Sequence, residues 1–436
     1  MGDLAILNPH AAFVDVGSEQ MHVSIAGGEP KVFGTVTSQL EALRDWLLAQ
    51  GATAVAMEAT GVYWLPLYGI LEEAGLELAM VNGRQTKNLP GRKTDMADCQ
   101  WGATLHMHGL LRPGFVPTAD IRRLQDYVRL RNDHVKAAAG QVQKMQQALE
   151  RMNIKLHDAI SSLTGVSGLA MVRAILAGER DPGRLLALCD VQIRHQKSAQ
   201  VLEALRGTWS SEHLFALRQA VQIWEQYQSL IAECDREIQA ILPQPPNEQP
   251  PKRAGLRKRL RGNAPKIPLL RSILMQMCGG HDLTTLPAQT EYSVLQILSE
   301  VGTDLTKWPT DKHFTSWLGL APGSRQSGKR RANVKRSRNR AARYFCDIVR
   351  SLARSKDIAL GAFYRRIKAH RGGLAANIAT ARKLAAWFWR AMVHGIDFVE
   401  TGVLKYEATI AQNKQRTAQR LANELGFRLV PLQPQP

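Results

Sequence analysis

The chain has 436 residues, 44% of them hydrophobic, and 57 Lys and Arg against 38 Asp and Glu leave a formal charge of +19. That length allows roughly two to four domains, and every apolar stretch is broken by a charge or glycine before the roughly 18 residues a membrane helix needs. Met1 to Phe13 have no basic flank before an apolar core and Ile6 stands where a myristoylation signal has Ser or Thr, so no secretory or lipidation signal is expected, and the cysteines at 99, 189, 234, 278 and 346 are too far apart for a CxxC pair. Membrane spans, a zinc site of that type and a disulfide framework are therefore excluded, and a cytoplasmic protein with reduced core cysteines is expected.

The first predicted elements lie within residues 10–115. Phe13 to Val16, Met21 to Ala26 and Lys31 to Val36 are short strand candidates separated by turn residues. Ser38 followed by Glu41 has the form of a capping box opening a helix that ends near Gly51. Ala52 to Met57 reads as a buried strand, Val62 to Ala74 as a helix, Leu76 to Val81 as a strand and Thr94 to Leu110 as a helix. The expected class is an α/β domain with the order β-β-β-α-β-α-β-α, followed by all-α segments.

Residues 116–242 change period. Steps of three and four connect Ile121, Leu124, Val128, Arg131, Val135, Ala138, Val142, Met145, Leu149, Met152 and Leu156, apolar everywhere except Arg131. A weaker stripe runs Leu214, Leu217, Val221, Trp224, Gln228, Ile231, Asp235, Ile238 and Leu242. Two long helices are predicted, forming either a coiled-coil dimerisation arm or an antiparallel pair within one chain, with a small helical bundle between them at Gly165 to Arg206. Residues 243–266 are a proline-rich basic linker. Residues 267–402 read as mostly helical with a Gly- and Arg-rich interruption at Gly319 to Asn339, and 403–436 as a further helix and a disordered tail.

The charge is concentrated. Residues 249–281 hold eight basic side chains and residues 325–343 hold nine, with no acid in either, whereas residues 1–115 carry a net −5. Such basic segments are the footprint of a polyanion, most often nucleic acid. The cations assigned to backbone contact are Lys252, Arg253, Arg257, Lys258, Arg259, Arg261, Arg325, Lys329, Arg330, Arg331, Lys335, Arg336 and Arg338. No GxxxxGK[ST] phosphate loop is present, so a nucleotide-driven motor is not expected.

Four carboxylates in the first domain stand where the predicted elements would gather them. Asp15 interrupts the apolar strand Phe13-Val14-Asp15-Val16, where a charge needs a partner. Glu58 ends the apolar strand Ala54-Val55-Ala56-Met57, and Asp95 and Asp98 lie three apart on a helix and share a face. Clustered carboxylates repel unless divalent cations neutralise them, and an all-oxygen cage suits Mg²⁺, with Mn²⁺ as a substitute. Such a site performs phosphodiester chemistry. A second candidate is Ser327 in the stretch Gly319 to Arg331, read as a Gly-flanked cationic loop where the serine is either a nucleophile or a phosphate ligand.

The motifs Val14-Asp15-Val16-Gly17, Met57-Glu58-Ala59-Thr60-Gly61-Val62-Tyr63, Lys93-Thr94-Asp95-Met96-Ala97-Asp98 and Ser327-Gly328-Lys329 resemble the DEDD transposases of the insertion-sequence 110/1111 family, recombinases guided by a bridge RNA. The segments Gly165-Val166-Ser167-Gly168 and Thr310 to Gly323 resemble the 1111 branch. The resemblance implies a ribonuclease H- or RuvC-like domain whose Asp15, Glu58, Asp95 and Asp98 hold Mg²⁺, a coiled-coil arm, and a C-terminal transposase domain whose Ser327 forms a covalent phosphoserine. It also implies a noncoding bridge RNA, donor and target DNA, and homodimers assembling to tetramers in a prokaryotic, nucleoid-associated setting. Pro287-Ala288-Gln289-Thr290 departs from the Gly-x-Gly turn common in relatives, and the Gln326-Ser327-Gly328 stretch is short where relatives can carry one more residue, which leaves Ser324 as a minor competitor for the nucleophile. A RuvC-like hydrolytic nuclease or junction resolvase that uses only the carboxylates, and a non-catalytic nucleic-acid scaffold, are the competing functions.

Overall fold

The computed structural model describes residues 5–58, 61–83, 94–245, 262–327, 330–334, 337–355 and 359–430, with backbone alone at 324–327, 330–334, 397–407, 410 and 414. The chain divides into two compact units, residues 1–116 and 117–436.

In the first unit a five-stranded sheet is built from β1 (Ala11–Val16), β2 (Gln20–Ile25), β3 (Lys31–Gly34), β4 (Ala54–Glu58) and β5 (Glu77–Val81), in the order β3-β2-β1-β4-β5. The first three strands form an antiparallel meander, and β4 and β5 add in parallel. The parallel additions require crossovers, supplied by α1 (Thr37–Ala49) and α2 (Trp64–Glu73). Alternation along the strands sends Val14, Val16, Val55 and Met57 toward Leu43, Leu47, Leu67 and Leu71 of those two helices. Phe13, Ala56 and Val81 point to the opposite face, where Cys99 and Ala103 of α3 (Asp95–Met107) cover them. This α/β/α sandwich is compatible with a ribonuclease H-like fold. One local expectation fails: Ser38 does not cap α1, which starts at Thr37 after extended Val36 with no side-chain cap. The chain leaves β3 and enters the helix within two residues, so Ser38 is already inside the first turn.

The second unit is mostly helical. Helix α4 (Ala119–Arg151) lies antiparallel to α10 (Ser211–Ile241): Arg131 meets Asp235 near one end, and Met145 and Leu149 share a core with Leu217 and Val221 near the other. The two stripes therefore meet within one chain. Between them α5 (Leu156–Ala159), α6 (Val166–Leu176), α7 (Pro182–Ala187), α8 (Val191–Gln196) and α9 (Ser198–Ala204) form a small bundle on that same core. Most of the proline-rich basic stretch, residues 246–261, lies outside the described residues.

Beyond it come α11 (Leu270–Met277), α12 (Glu291–Val301), α13 (Asp311–Trp317), a hairpin of β6 (Gly323–Ser327) and β7 (Arg330–Val334), α14 (Arg340–Leu352), α15 (Ala359–His394) and α16 (Ile396–Glu424). The Pro287–Thr290 turn bends at Ala288, which takes φ 58°, and Thr290 with Ser293 then forms a complete capping box for α12. Ala288 thus adopts backbone angles that glycine reaches more cheaply. Asn132 of α4 joins these helices: its Oδ1 accepts from the Tyr292 hydroxyl and Gln296 Nε2, and its Nδ2 donates to the Tyr344 hydroxyl, all at 2.9 Å.

Candidate active site

Strand β1 carries Asp15 half-buried on the α3 face, because its neighbours Val14 and Val16 occupy the opposite core. Parallel pairing of Val14 with Met57 brings Glu58, the last residue of β4, beside it on the same face. Glu58 in turn lies against Gly83 after β5: a β-carbon there would fall well inside contact distance of the carboxylate, so only glycine leaves that place open.

Helix α3 brings the other two acids. Thr94 caps it by accepting from the Ala97 amide at 3.2 Å, which places Asp95 and Asp98 in the first turn, where acids favour the helix dipole. The helix is fixed on the sheet by the Cys99 thiol, which donates to the carbonyls of Phe13 at 3.2 Å and His22 at 3.0 Å. Gly102 allows the close approach, since a β-carbon there would stand 2.5 Å from the Phe13 ring.

The electrostatics agree with this placement. Burial first, then Glu58 and Asp95, push the Asp15 carboxyl up to about 6; His22 opposes them and Asp98 adds to them. The other three predicted acids are therefore near enough to act on Asp15. Burial chiefly pushes the Cys99 thiol up to about 12, which makes it an inert floor for the site. His22 was not singled out from sequence. It is the direct cross-strand partner of Asp15, a fact of register that the ordinary alternation of β2 does not signal.

The donor set fits a hard divalent ion, because it consists of carboxylate oxygens, partly shielded from water and mutually repelling. The acids do not form a tight ready-made cage. Among the described residues, three ligand atoms within 4.8 Å of one another occur at Glu150, His157 and Asp158 instead. There Lys155 already pairs with Glu150, and the His157 Nε2 lies 3.2 Å from Glu150 and 3.4 Å from Asp158, so both carboxylates have protein partners.

Ser327 does not lie on a free loop, as the glycine-rich composition suggests. It ends β6 and pairs with Arg330, the first residue of β7, while Ser324 pairs with Asn333. The intervening Gly328 and Lys329 lie outside the described residues. The sequence Gly-Ser-Arg-Gln-Ser against Arg-Arg-Ala-Asn-Val is polar on both faces, so its pairing leaves no alternating signature. Arg325, Arg330 and Arg331 are carried by this ribbon, and Arg338 is half-buried just before α14. Lys252, Arg253, Arg257, Lys258, Arg259, Arg261, Lys335 and Arg336 lie outside the described residues, as does Lys329.

Residues 14–154 match the DEDD transposase family model of the IS110 type, and residues 280–365 match the transposase model of the IS116/IS110/IS902 family. The first match contains all four acids and the second contains Ser327. A comparison with curated proteins gives no match. Both matches are to transposase models, and they support a function in DNA transposition or recombination.

Proposed function

We propose that the chain is a DNA recombinase of the 1111 branch, guided by a bridge RNA and acting through a covalent phosphoserine at Ser327. The observation that carries the reading is the convergence of Asp15, Glu58, Asp95 and Asp98 at one end of the sheet, in a chain whose second transposase match spans a serine beside a basic run. Homodimers assembling to tetramers around donor and target DNA belong to the same proposal.

Asp15, Glu58, Asp95 and Asp98 would hold Mg²⁺, which when bound supplies neutralising charge and Lewis acidity at a phosphate oxygen. The chain's own residues do the rest. The Ser327 hydroxyl attacks phosphorus, an Oγ–P bond forms as the bond to a DNA oxygen breaks, and the proton lost by serine balances the one gained by the departing hydroxyl. One phosphodiester replaces another, so a second DNA hydroxyl can reverse the step after strands exchange. Lys and Arg neutralise the backbone, and base pairing to the RNA chooses the sequence.

Denaturing electrophoresis of the protein with labelled DNA, the RNA and Mg²⁺ tests this. The wild type should give an adduct that survives denaturation, Ser327→Ala should give none while still binding nucleic acid, and Ser324→Ala should behave as the wild type. An adduct persisting in Ser327→Ala would exclude that serine, loss of the adduct in Ser324→Ala would move the nucleophile upstream, and cleavage with no adduct in any variant would favour a hydrolytic nuclease.

A further inference from the structure

A third basic segment lies in α15 and belongs to none of the motifs above. Residues 358–396 hold seven Lys and Arg and no Asp or Glu. The 36 residues of α15 are not one straight rod: Gly372 takes φ 80°, ψ 168°. The Lys383 ammonium stands 5.1 Å from the ring of Phe363, twenty residues upstream. A continuous helix would separate those positions by about 30 Å. The limbs before and after Gly372 therefore fold back against each other.

That fold concentrates positive charge on aromatic surface. The Arg366 guanidinium lies 5.6 Å from the Phe363 ring, and the Lys383 ammonium also approaches the Trp387 ring at 5.9 Å. Arg390 stands one heptad beyond Lys383 and bonds Asp311, with 2.8 Å from Nε and 2.5 Å from Nη2. Burial first, then Arg366 and Arg390, hold the Lys383 ammonium down to about 8. Like charges held together in this way are relieved by an anionic ligand. Phe363 and Arg366 also border a cleft of about 450 Å³ between α15 and α16, lined further by Ala362, Asn413, Thr417 and Leu421. Apolar and aromatic walls with a few polar groups, beside a cationic rim, match the two halves of a nucleotide.

We propose that this helical hairpin binds an unpaired nucleotide within a single-stranded nucleic acid, its phosphates against Arg366 and Lys383 and its base in the cleft beside Phe363. The inference deepens the recombinase reading and rests on it for the class of ligand. A base stacked and paired in a duplex cannot enter the cleft, so single strands are selected. The recognised chemistry, a phosphodiester and an unstacked base, is common to DNA and RNA.

The test is fluorescence anisotropy of the full chain with a labelled 12-nucleotide DNA, the same sequence as RNA, and the corresponding DNA duplex, over a series of salt concentrations. Arg366→Gln and Lys383→Gln should each weaken single-strand binding about three- to tenfold and flatten the log–log salt slope by about 0.7 per lost contact. Phe363→Leu should weaken it about five- to tenfold with the slope unchanged, and should leave duplex binding alone. Ala418 of α16 also lines the cleft and is exposed, so Ala418→Trp fills the cleft without altering a charge and guards against misfolding of the Phe363 variant. Tighter binding of the RNA or of the DNA strand names the source. Unchanged affinity and slope in the Arg366→Gln/Lys383→Gln double variant would overturn the proposal, as would equal losses on duplex and single strand in Phe363→Leu and Ala418→Trp. The adduct assay separates this outcome from the recombinase reading: an adduct at Ser327 with wild-type binding in these variants rejects only the α15 site, whereas selective loss of single-strand binding without any adduct rejects only the phosphoserine.

Discussion

Arg131 and Asp235 are each a charged break in an apolar helical stripe, and they bind one another: Nε lies 2.5 Å from Oδ1, with 1% and 6% of the two side chains exposed. Arg131 also donates to the Asn263 carbonyl at 3.1 Å and sits 4.6 Å from the Tyr292 ring, while Asp235 accepts from the Lys266 amide at 3.0 Å. The pair thus ties the long helices to the end of the basic linker and, through Tyr292, to α12. Removing one partner leaves the other buried and uncompensated, so Asp235→Ala should cost about 3–5 kcal/mol. Arg131→Met combined with Asp235→Leu should recover most of it, because two apolar groups need no partner. Urea midpoints of the two single variants and the double variant decide the point, and additive losses would contradict it.

Asp15 should make stability fall as pH rises through the acidic range. Its carboxyl titrates at about 6 in the fold against 3.8 as a free side chain, so the folded state keeps a proton that the unfolded chain has already lost. Asp15→Asn should therefore stabilise the protein by about 1–2 kcal/mol at pH 7 to 8, allowing for the part of the carboxylate that faces water. The gain should vanish below about pH 4, where both states carry the proton. Thermal melting at pH 4 and pH 7.5 reads the difference. An equal gain at both values would mean that packing, not charge, is responsible.

If the four acids hold Mg²⁺, the ion should raise the melting temperature of the wild type at pH 7.5 and raise that of Asp15→Asn less, since binding stabilises only the state that binds. Melting curves with Mg²⁺ and with a chelator make the comparison. Equal shifts in both proteins would remove Asp15 from the ligand set.

Gly83→Ala should displace the Glu58 carboxylate while leaving the sheet intact, because the three atoms nearest the added carbon all belong to that carboxylate. Recombination should fall by about a hundredfold, the scale expected when a reacting group is misplaced by an ångström. Far-ultraviolet circular dichroism should be unchanged. Wild-type activity in Gly83→Ala would show that Glu58 tolerates the shift.

The first unit was legible because its strands are short, mostly apolar and bounded by turn residues, and β1 to β5 appear within two residues of where those signals put them. The acids were legible for a related reason: Asp15 contradicts its own strand, and Asp95 and Asp98 share one helical turn. Pairing left no such trace. Nothing in Gln20 to Ile25 says that His22 faces Asp15, because register is set between strands. The β6–β7 ribbon was hidden by polar residues on both of its faces, and the fold-back of α15 rests on one glycine inside an otherwise continuous helical pattern.

All five cysteines are free and buried, at 99, 189, 234, 278 and 346, and burial raises every one of their thiols above its ordinary range. Alkylating reagents at neutral pH act on thiolates, so the native chain offers them almost no reaction. It is already a blank background for site-directed labelling. Ser327→Cys would then report the solvent access of that single position by its alkylation rate, without any native cysteine having to be removed.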